Sequence, residues 1–408
     1  MRTNYLKTPF FAALFFFALC TAARADSLFR LFPEIQLAGV YSDNIPLRTT
    51  GKVSDFLGLG VAGFYLDYTS EARYASLHYD TFAQLFARQS RFDRAGEGQY
   101  VSLTDAENIS PTTKLHLDEV FYRDSPTAAT VIASGEGPQF NNVAAQLLLA
   151  SFQVAINDFN VGLTHAWGRN WSSDLIVHQE TVWGSGSNSG NGTSYAQSIE
   201  TSTTYHLSGR LGLLAGYRFY DFRFTAPGFP GEQAHWPYVG ISWQPLERLY
   251  FQGIVGVVFS HIQGQSGESV NPAGRALLEY TYKHAHFNAS GGQVPELIGG
   301  QSGAAELRYG RGGITYDFTP RLTGNAGAGY NQFISPSFNG EFISWGGGLS
   351  DRVNKWLVVY ARFIQVRQME TASSQFLPSG VQSGREAIGN YLSFGFNASV
   401  EAFRWSWQ

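Results

Sequence analysis

Asp174, His178 and Glu180 are the residues best spaced for chemistry, because their even spacing within one predicted strand puts two carboxylates and an imidazole on one face. Such a face can relay a proton or offer ligands to a metal ion. Either use needs a further partner, a second nitrogen ligand or a placed nucleophile, and no spacing in the sequence supplies one. His165 and His261 take the opposite, outward phase near strand ends, as the histidine of a lipid-hydrolysing barrel would, but no serine is paired with either by sequence. The expectation is a chain that is not an enzyme, with no catalytic residue, no cofactor and no metal site.

The same alternation directs a larger polar set to one face. His78, Asp80, Lys114, His116, Asp118, Asp174, His178, Glu180, Glu200, Arg218, Arg275, Glu279 and Arg362 share it, interleaved with Tyr74, Tyr220, Tyr238, Tyr250 and Tyr391. Both charge signs are present, which argues against a strongly ion-selective pore. Rings beside carboxylates and guanidinium groups suit sugars, whose faces stack while their hydroxyls take hydrogen bonds. The candidate pore-lining residues are His78, Asp80, Asp174, His178, Glu180, Glu200, Arg218, Tyr250, Arg275, Glu279 and Arg362. Ordinary wall lining, with charge ladders holding the strands, is the alternative use of any one of them.

Strands must position these residues. Leu249, Phe251, Val255 and Val257 oppose Tyr250, Gln252, Gly256 and Ser260, and Leu392, Phe394, Phe396, Ala398 and Val400 oppose Tyr391, Ser393, Gly395, Asn397 and Ser399. A helix would scatter both sets around its circumference. The stretch Arg308 to Gly313 gives no clean phase, since Tyr309 and Arg311 share a face while three glycines interrupt the alternation. About 18 such runs, from 34–44 to 387–402, predict an all-β, up-and-down antiparallel transmembrane barrel, with 16 strands as the alternative count.

The turns keep a beat. Arg169, Arg210, Arg248, Lys283, Arg321 and Lys355 close short polar turns at spacings of 41, 38, 35, 38 and 34 residues, room for two strands and one longer loop. An even strand number puts both termini and these tight turns on the periplasmic side, and the longer connections on the outside. The longest connection, from Asp124 to Ser151, carries an Ala/Leu/Val stretch that suits an inward constriction, a short helix over the mouth or a plain surface loop. Trp167, Trp171, Tyr205, Trp243, Tyr316 and Trp356 lie beside turns, as an interfacial girdle requires.

Composition and the amino terminus set the compartment. Arg2 and Lys7 precede an apolar run from Pro9 to Leu19, and Ala23 and Ala25 follow, which predicts a secretory signal peptide over 1–25 and a mature barrel over 26–408. Leu19 stands where lipid attachment at Cys20 wants a small residue. Cleavage after Ala25 removes the only cysteine, and with it disulfides and thiol chemistry. It also takes the basic count from 28 to 25 against 32 acids, moving the formal charge from −4 to −7 and disfavouring nucleic acid as a partner. No mature segment reaches the roughly 18 apolar residues of a transmembrane helix. The 15% aromatic content, 45 glycines and mean hydropathy of −0.15 suit a barrel with one wall face in lipid, although a periplasmic β-solenoid or propeller shares some of this composition.

The opening strand, Pro33-Glu34-Ile35-Gln36-Leu37-Ala38-Gly39-Val40-Tyr41-Ser42-Asp43-Asn44-Ile45, resembles the mature start of the β-barrel porin family associated with exopolysaccharide biosynthesis and export. The arginine-closed turn Asp317-Phe318-Thr319-Pro320-Arg321-Leu322 is similar to that family's turns as well. The resemblance spans the mature chain and implies a polysaccharide conduit in the outer membrane of a Gram-negative bacterium, working with a periplasmic export protein. It implies no catalytic residue. A general diffusion porin for small solutes is the alternative, and an outer-membrane scaffold or lipid-modifying enzyme barrel a further one; the absence of a long inward loop of the trimeric-porin kind favours a monomer.

Overall fold

A computed structural model describes residues 27–44, 52–89, 94–124, 153–185, 193–225, 230–264, 266–297, 304–334, 339–370 and 386–407. Among them every regular element is a strand. β1 to β6 are Ser27–Ser42, Asp55–Thr69, Arg73–Phe86, Arg94–Ser110, Thr113–Asp124 and Gln153–Ala166. β7 to β12 are Trp171–Ser185, Thr193–Ser208, Leu211–Phe224, Glu232–Leu246, Leu249–Ile262 and Ser269–Tyr282. β13 to β19 are Ala285–Leu297, Ala304–Asp317, Leu322–Ile334, Asn339–Asn354, Leu357–Glu370, Glu386–Ser399 and Phe403–Trp407.

From β1 to β18 each strand pairs antiparallel with the next, and β1 also pairs with β18 and β19, so the sheet closes into a barrel. The last two strands form a single stave. Glu34 pairs with Ser399 and Leu31 with Phe403, so Phe32 and Pro33 face three residues, Val400 to Ala402. Pro33 has no N–H to give the ladder, and one extra residue on the opposite strand bulges around it. The barrel therefore has 18 staves, the higher of the two expected counts. Closure leaves no unpaired edge, the condition a sheet must meet to span lipid.

Two boundaries lie beyond the sequence reading. The first stave starts at Ser27 rather than near residue 34, and the last runs on to Trp407. Leu28 to Phe32 carries large apolar residues on both faces, so alternation does not mark it as a strand. The expected signal peptide and the Asp124 to Ser151 connection lie outside the described residues apart from Asp124 itself.

Both described termini and the tight turns gather at one end, as the even strand count requires. The turns have a local cause in Ser, Thr or Asn side chains that cap backbone N–H groups. Ser208 Oγ accepts from Arg210 N at 3.2 Å, and Thr319 Oγ1 from Arg321 N at 3.2 Å and Leu322 N at 2.9 Å. Asn354 Oδ1 likewise accepts from Trp356 N at 2.9 Å and Leu357 N at 3.0 Å. Lys283 adopts a φ of 52°, the left-handed value that primed hairpin turns use.

Exposure identifies the two faces of the wall. Ile35, Leu37, Ile199, Val239, Val255 and Phe394 are exposed and lie in one phase of the register, the outer face. Val40, Ser198, Trp236 and Tyr391, in the alternate phase, are buried. Trp167, Trp171, Trp243, Tyr316 and Trp356 are exposed beside the tight turns, whereas Tyr205 is half-buried with its ring 4.7 Å from that of Trp171. One outer stretch differs: Leu66, Tyr68, Ala75, Leu77, Leu103 and Phe121 form a buried cluster on β2 to β5. Beside it Arg73 forks onto Asp105, with Nε 2.8 Å from Oδ1 and Nη2 2.6 Å from Oδ2. A bidentate pair neutralises both charges near the turn-side rim.

Candidate functional site

Carried around the register, His78, Asp80, Asp174, His178, Glu180, Glu200, Arg218, Tyr250, Arg275, Glu279 and Arg362 all take the inward phase. They do not form one constellation. Residues four apart on a strand stand about 13 Å apart, so Asp174 and His178 share a face without meeting. Asp174 instead accepts from Thr164 Oγ1 at 2.7 Å and Ser202 Oγ at 3.4 Å, and His178 Nε2 lies 2.8 Å from Asp158 Oδ1. Tyr250 and Glu279 are cross-strand partners, and Arg362 lies 5.0 Å over the Tyr360 ring. The outward His165 bonds Thr113 Oγ1 at 2.8 Å, and His261 donates to the Gly267 carbonyl at 3.3 Å; neither bond is to a serine.

The inner wall is built by side chains lying over glycines. On β10 the Tyr238 ring crosses Gly216 of β9, and its hydroxyl donates a short hydrogen bond to Glu200 of β8. On β17 Tyr360 crosses Gly395 of β18, where its hydroxyl accepts from Gln36 Nε2 of β1 at 2.6 Å. Trp236 lies over Gly256 of β11, whose added Cβ would stand 2.8 Å from the indole nitrogen. A Cβ at any of these glycines would occupy the space the ring needs. The two tyrosine hydroxyls thus tie strands that do not pair directly, β10 to β8 and β17 to β1.

Glu200 is the hub of the largest such group. Arg218 Nη1 stands 3.5 Å from Glu200 Oε2, and Arg275 Nη2, four strands along the wall, reaches within 3.9 Å of Oε1. Arg218 also donates to Ser198 Oγ at 3.2 and 3.0 Å and packs 4.6 Å over the Tyr220 ring. Beneath them Val182, Tyr220, Phe222, Trp236, Ile254 and Val258 form a buried inner-wall cluster. A second inner cluster joins Val40, Leu57, Leu59, Phe82, Phe86 and Tyr360. The lumen is therefore not lined by small polar groups throughout; apolar and aromatic packing thickens two sides of it.

Between β7 and β14 the inner wall holds a recess of ≈ 250 Å³. Arg218, Arg275 and Arg311 line it together with Tyr220, Trp236 and Tyr309, and His178 and Glu180 close one side. Arg311 lies 4.5 Å over Tyr309 and donates to Ser290 Oγ at 2.9 Å. Trp236 Nε1 is buried without a hydrogen-bond partner. Guanidinium planes and flat rings in one recess can bind carboxylates, hydroxyls and sugar faces together.

Trp236, Tyr309 and Arg311 complete this recess without having been singled out as lining residues. Tyr309 and Arg311 sit in the glycine-broken stretch whose phase the sequence left open, although Gly310 and Gly312 simply fill outward positions opposite Gly291 and Ala289. Trp236 shares the phase of Tyr238, so its inward direction was legible; its partners were not.

No family model and no curated protein matches the chain. Among solved structures it is similar to Pseudomonas aeruginosa OccK2 (OpdF) in complex with glucuronate, at 12% identity over 91% of this chain and 98% of that one, with a TM-score of 0.45. P. aeruginosa OpdL shares 14% identity over 92% of this chain and 99% of its own, also at 0.45. The FrpB iron transporter of Neisseria meningitidis shares 8% over 94% of this chain and 83% of its own, at 0.45. At these identities and TM-scores neither substrate nor lineage follows from the likeness.

Proposed function

We propose that this chain is a channel of the bacterial outer membrane that carries exopolysaccharide outward, delivered there by a signal peptide removed after Ala25. The observation that carries the reading is the recess in which Arg218, Arg275 and Arg311 alternate with Tyr220, Trp236 and Tyr309 on the inner wall of a closed barrel. Rings offer stacking to sugar faces, and three guanidinium groups favour a polymer that carries carboxylates. The resemblance of the first strand to exopolysaccharide-associated porins points the same way. Membrane lipid covers the outer face, the barrel works as a monomer, and a periplasmic export protein docks at the turn-bearing rim.

Bilayer conductance tests the transport step. An acidic saccharide polymer is expected to reduce the open-channel current of the refolded barrel, from the periplasmic side most strongly. Open current indifferent to polymer supports the second reading, a diffusion porin for small solutes, which the mixed charges of the wall favour. No current at all supports a scaffold. Orientation has its own test: cysteines at Arg248 and Arg321 are expected to resist an impermeant thiol reagent on intact cells and to react in lysed ones. Labelling on intact cells inverts the topology.

A further inference from the structure

Near the closing seam, Glu34 of β1 meets His78 and Asp80 of β3 across the intervening β2. Gly63 makes the contact possible, because it is the cross-strand partner of both Glu34 and Asp80 and carries no side chain between them. A Cβ there would fall 1.9 Å from Asp80 Oδ1 and 2.2 Å from the Tyr79 carbonyl oxygen. His78 Nε2 stands 3.0 Å from Glu34 Oε1 and 2.9 Å from Asp80 Oδ2, and all three ligand atoms lie within 4.8 Å of one another. Glu34 and His78 are buried. The Tyr65 ring stacks on the imidazole at 3.9 Å and Tyr100 meets it edge-on at 5.3 Å, which fixes its plane.

We propose that Glu34, His78 and Asp80 form a binding site for a divalent transition-metal ion on the inner wall of the barrel. The charge count supports it. Two carboxylates and a neutral imidazole carry a net charge of about −2, and among the described residues His78 is the one basic group paired with either carboxylate. A divalent cation neutralises that group without a proton. Distances support it as well: bonds of about 2.0–2.2 Å to nitrogen and oxygen place neighbouring ligand atoms roughly 3 Å apart, the separation that Nε2 already keeps from both carboxylates. Asp80 Oδ1 is buried with no hydrogen-bond partner, a lone pair set left over for a cation. Imidazole with two carboxylates suits Zn²⁺, Fe²⁺ or Mn²⁺ better than Ca²⁺, which takes more oxygen ligands. An ion here clamps β1 to β3 across β2, beside the seam where the barrel closes.

The test uses the mature barrel without an affinity tag, refolded in detergent and stripped with chelator. Titration with Zn²⁺ is expected to show one site per chain, weakened at least tenfold in His78→Gln and in Asp80→Asn. Cu²⁺ loaded at one equivalent into the wild-type barrel is expected to show coupling to a single nitrogen in its electron paramagnetic spectrum, which keeps the test independent of whether either variant assembles. Equal Zn²⁺ affinity in wild type and variants, or a Cu²⁺ spectrum without nitrogen coupling, overturns the site in favour of a protonated His78 bridging two carboxylates.

Discussion

Gly216→Ala is expected to destabilise the barrel by roughly 3–5 kcal/mol, although it adds one methyl group. The new Cβ would stand 2.5 Å from both Cζ and the hydroxyl oxygen of Tyr238 and 2.7 Å from Cε2, well inside van der Waals contact. The ring must swing off the wall, and forcing a packed side chain aside costs about 1–3 kcal/mol. Its hydroxyl then leaves Glu200, and a hydrogen bond to a charged group contributes about 1.5–3 kcal/mol. Urea unfolding of the refolded barrel measures the sum. Because all three nearest atoms belong to Tyr238, removing that ring removes the clash: in a Tyr238→Ala background Gly216→Ala is expected to cost less than about 1 kcal/mol. Equal cost in both backgrounds would show that the glycine is needed for something other than the ring.

Arg275→Glu is expected to shift the anion-to-cation permeability ratio about tenfold toward cations. Arg275 reaches in from the wall with nearly half its side chain exposed, so it meets solute as well as Glu200. The change replaces a positive charge with a negative one. A change of two unit charges at ~6 Å from a passing ion, in a water-like dielectric, amounts to about 1.4 kcal/mol of opposite sign for a cation and an anion, about 2.8 kcal/mol in the ratio, and screening at roughly 0.1 M salt halves this to one factor of ten. Reversal potentials across a salt gradient read the ratio directly, and the same variant should lose most of the current block by an acidic polymer. An unchanged ratio would place Arg275 off the permeation path and remove the recess from the transport reading. High salt should shrink the effect, because the charges lie within reach of screening ions.

Much of this architecture is legible in the chain. Period-two alternation marks the strands because the pleat sends successive side chains to opposite faces, and it assigns an inward phase to Glu200, Arg218 and Arg275 with no knowledge of their partners. The turn beat is equally local, set at the Arg210, Arg321 and Lys355 turns by a Ser, Thr or Asn that accepts from one or two backbone N–H groups two or three residues on. Where alternation fails, so does the reading: Leu28 to Phe32 is apolar on both faces and its strand goes unseen, and Pro33 hides the bulge that lets the final stave reach Trp407.

The candidate site shows the same division. The triplet Asp174, His178 and Glu180 has promising spacing, yet Asp174 turns to Thr164 and Ser202 and His178 to Asp158 on neighbouring strands. Glu34 and His78, 44 residues apart in the chain, meet instead. Turn position and the phase of the cleanly alternating strands were thus determined by the sequence alone, since each depends on neighbours within a few residues, whereas the choice of 18 staves over 16 came from the closed sheet. Only the closed sheet decided which inward residues touch, because those contacts depend on register between strands, on wall curvature, and on a glycine such as Gly63 or Gly216 standing in the strand between.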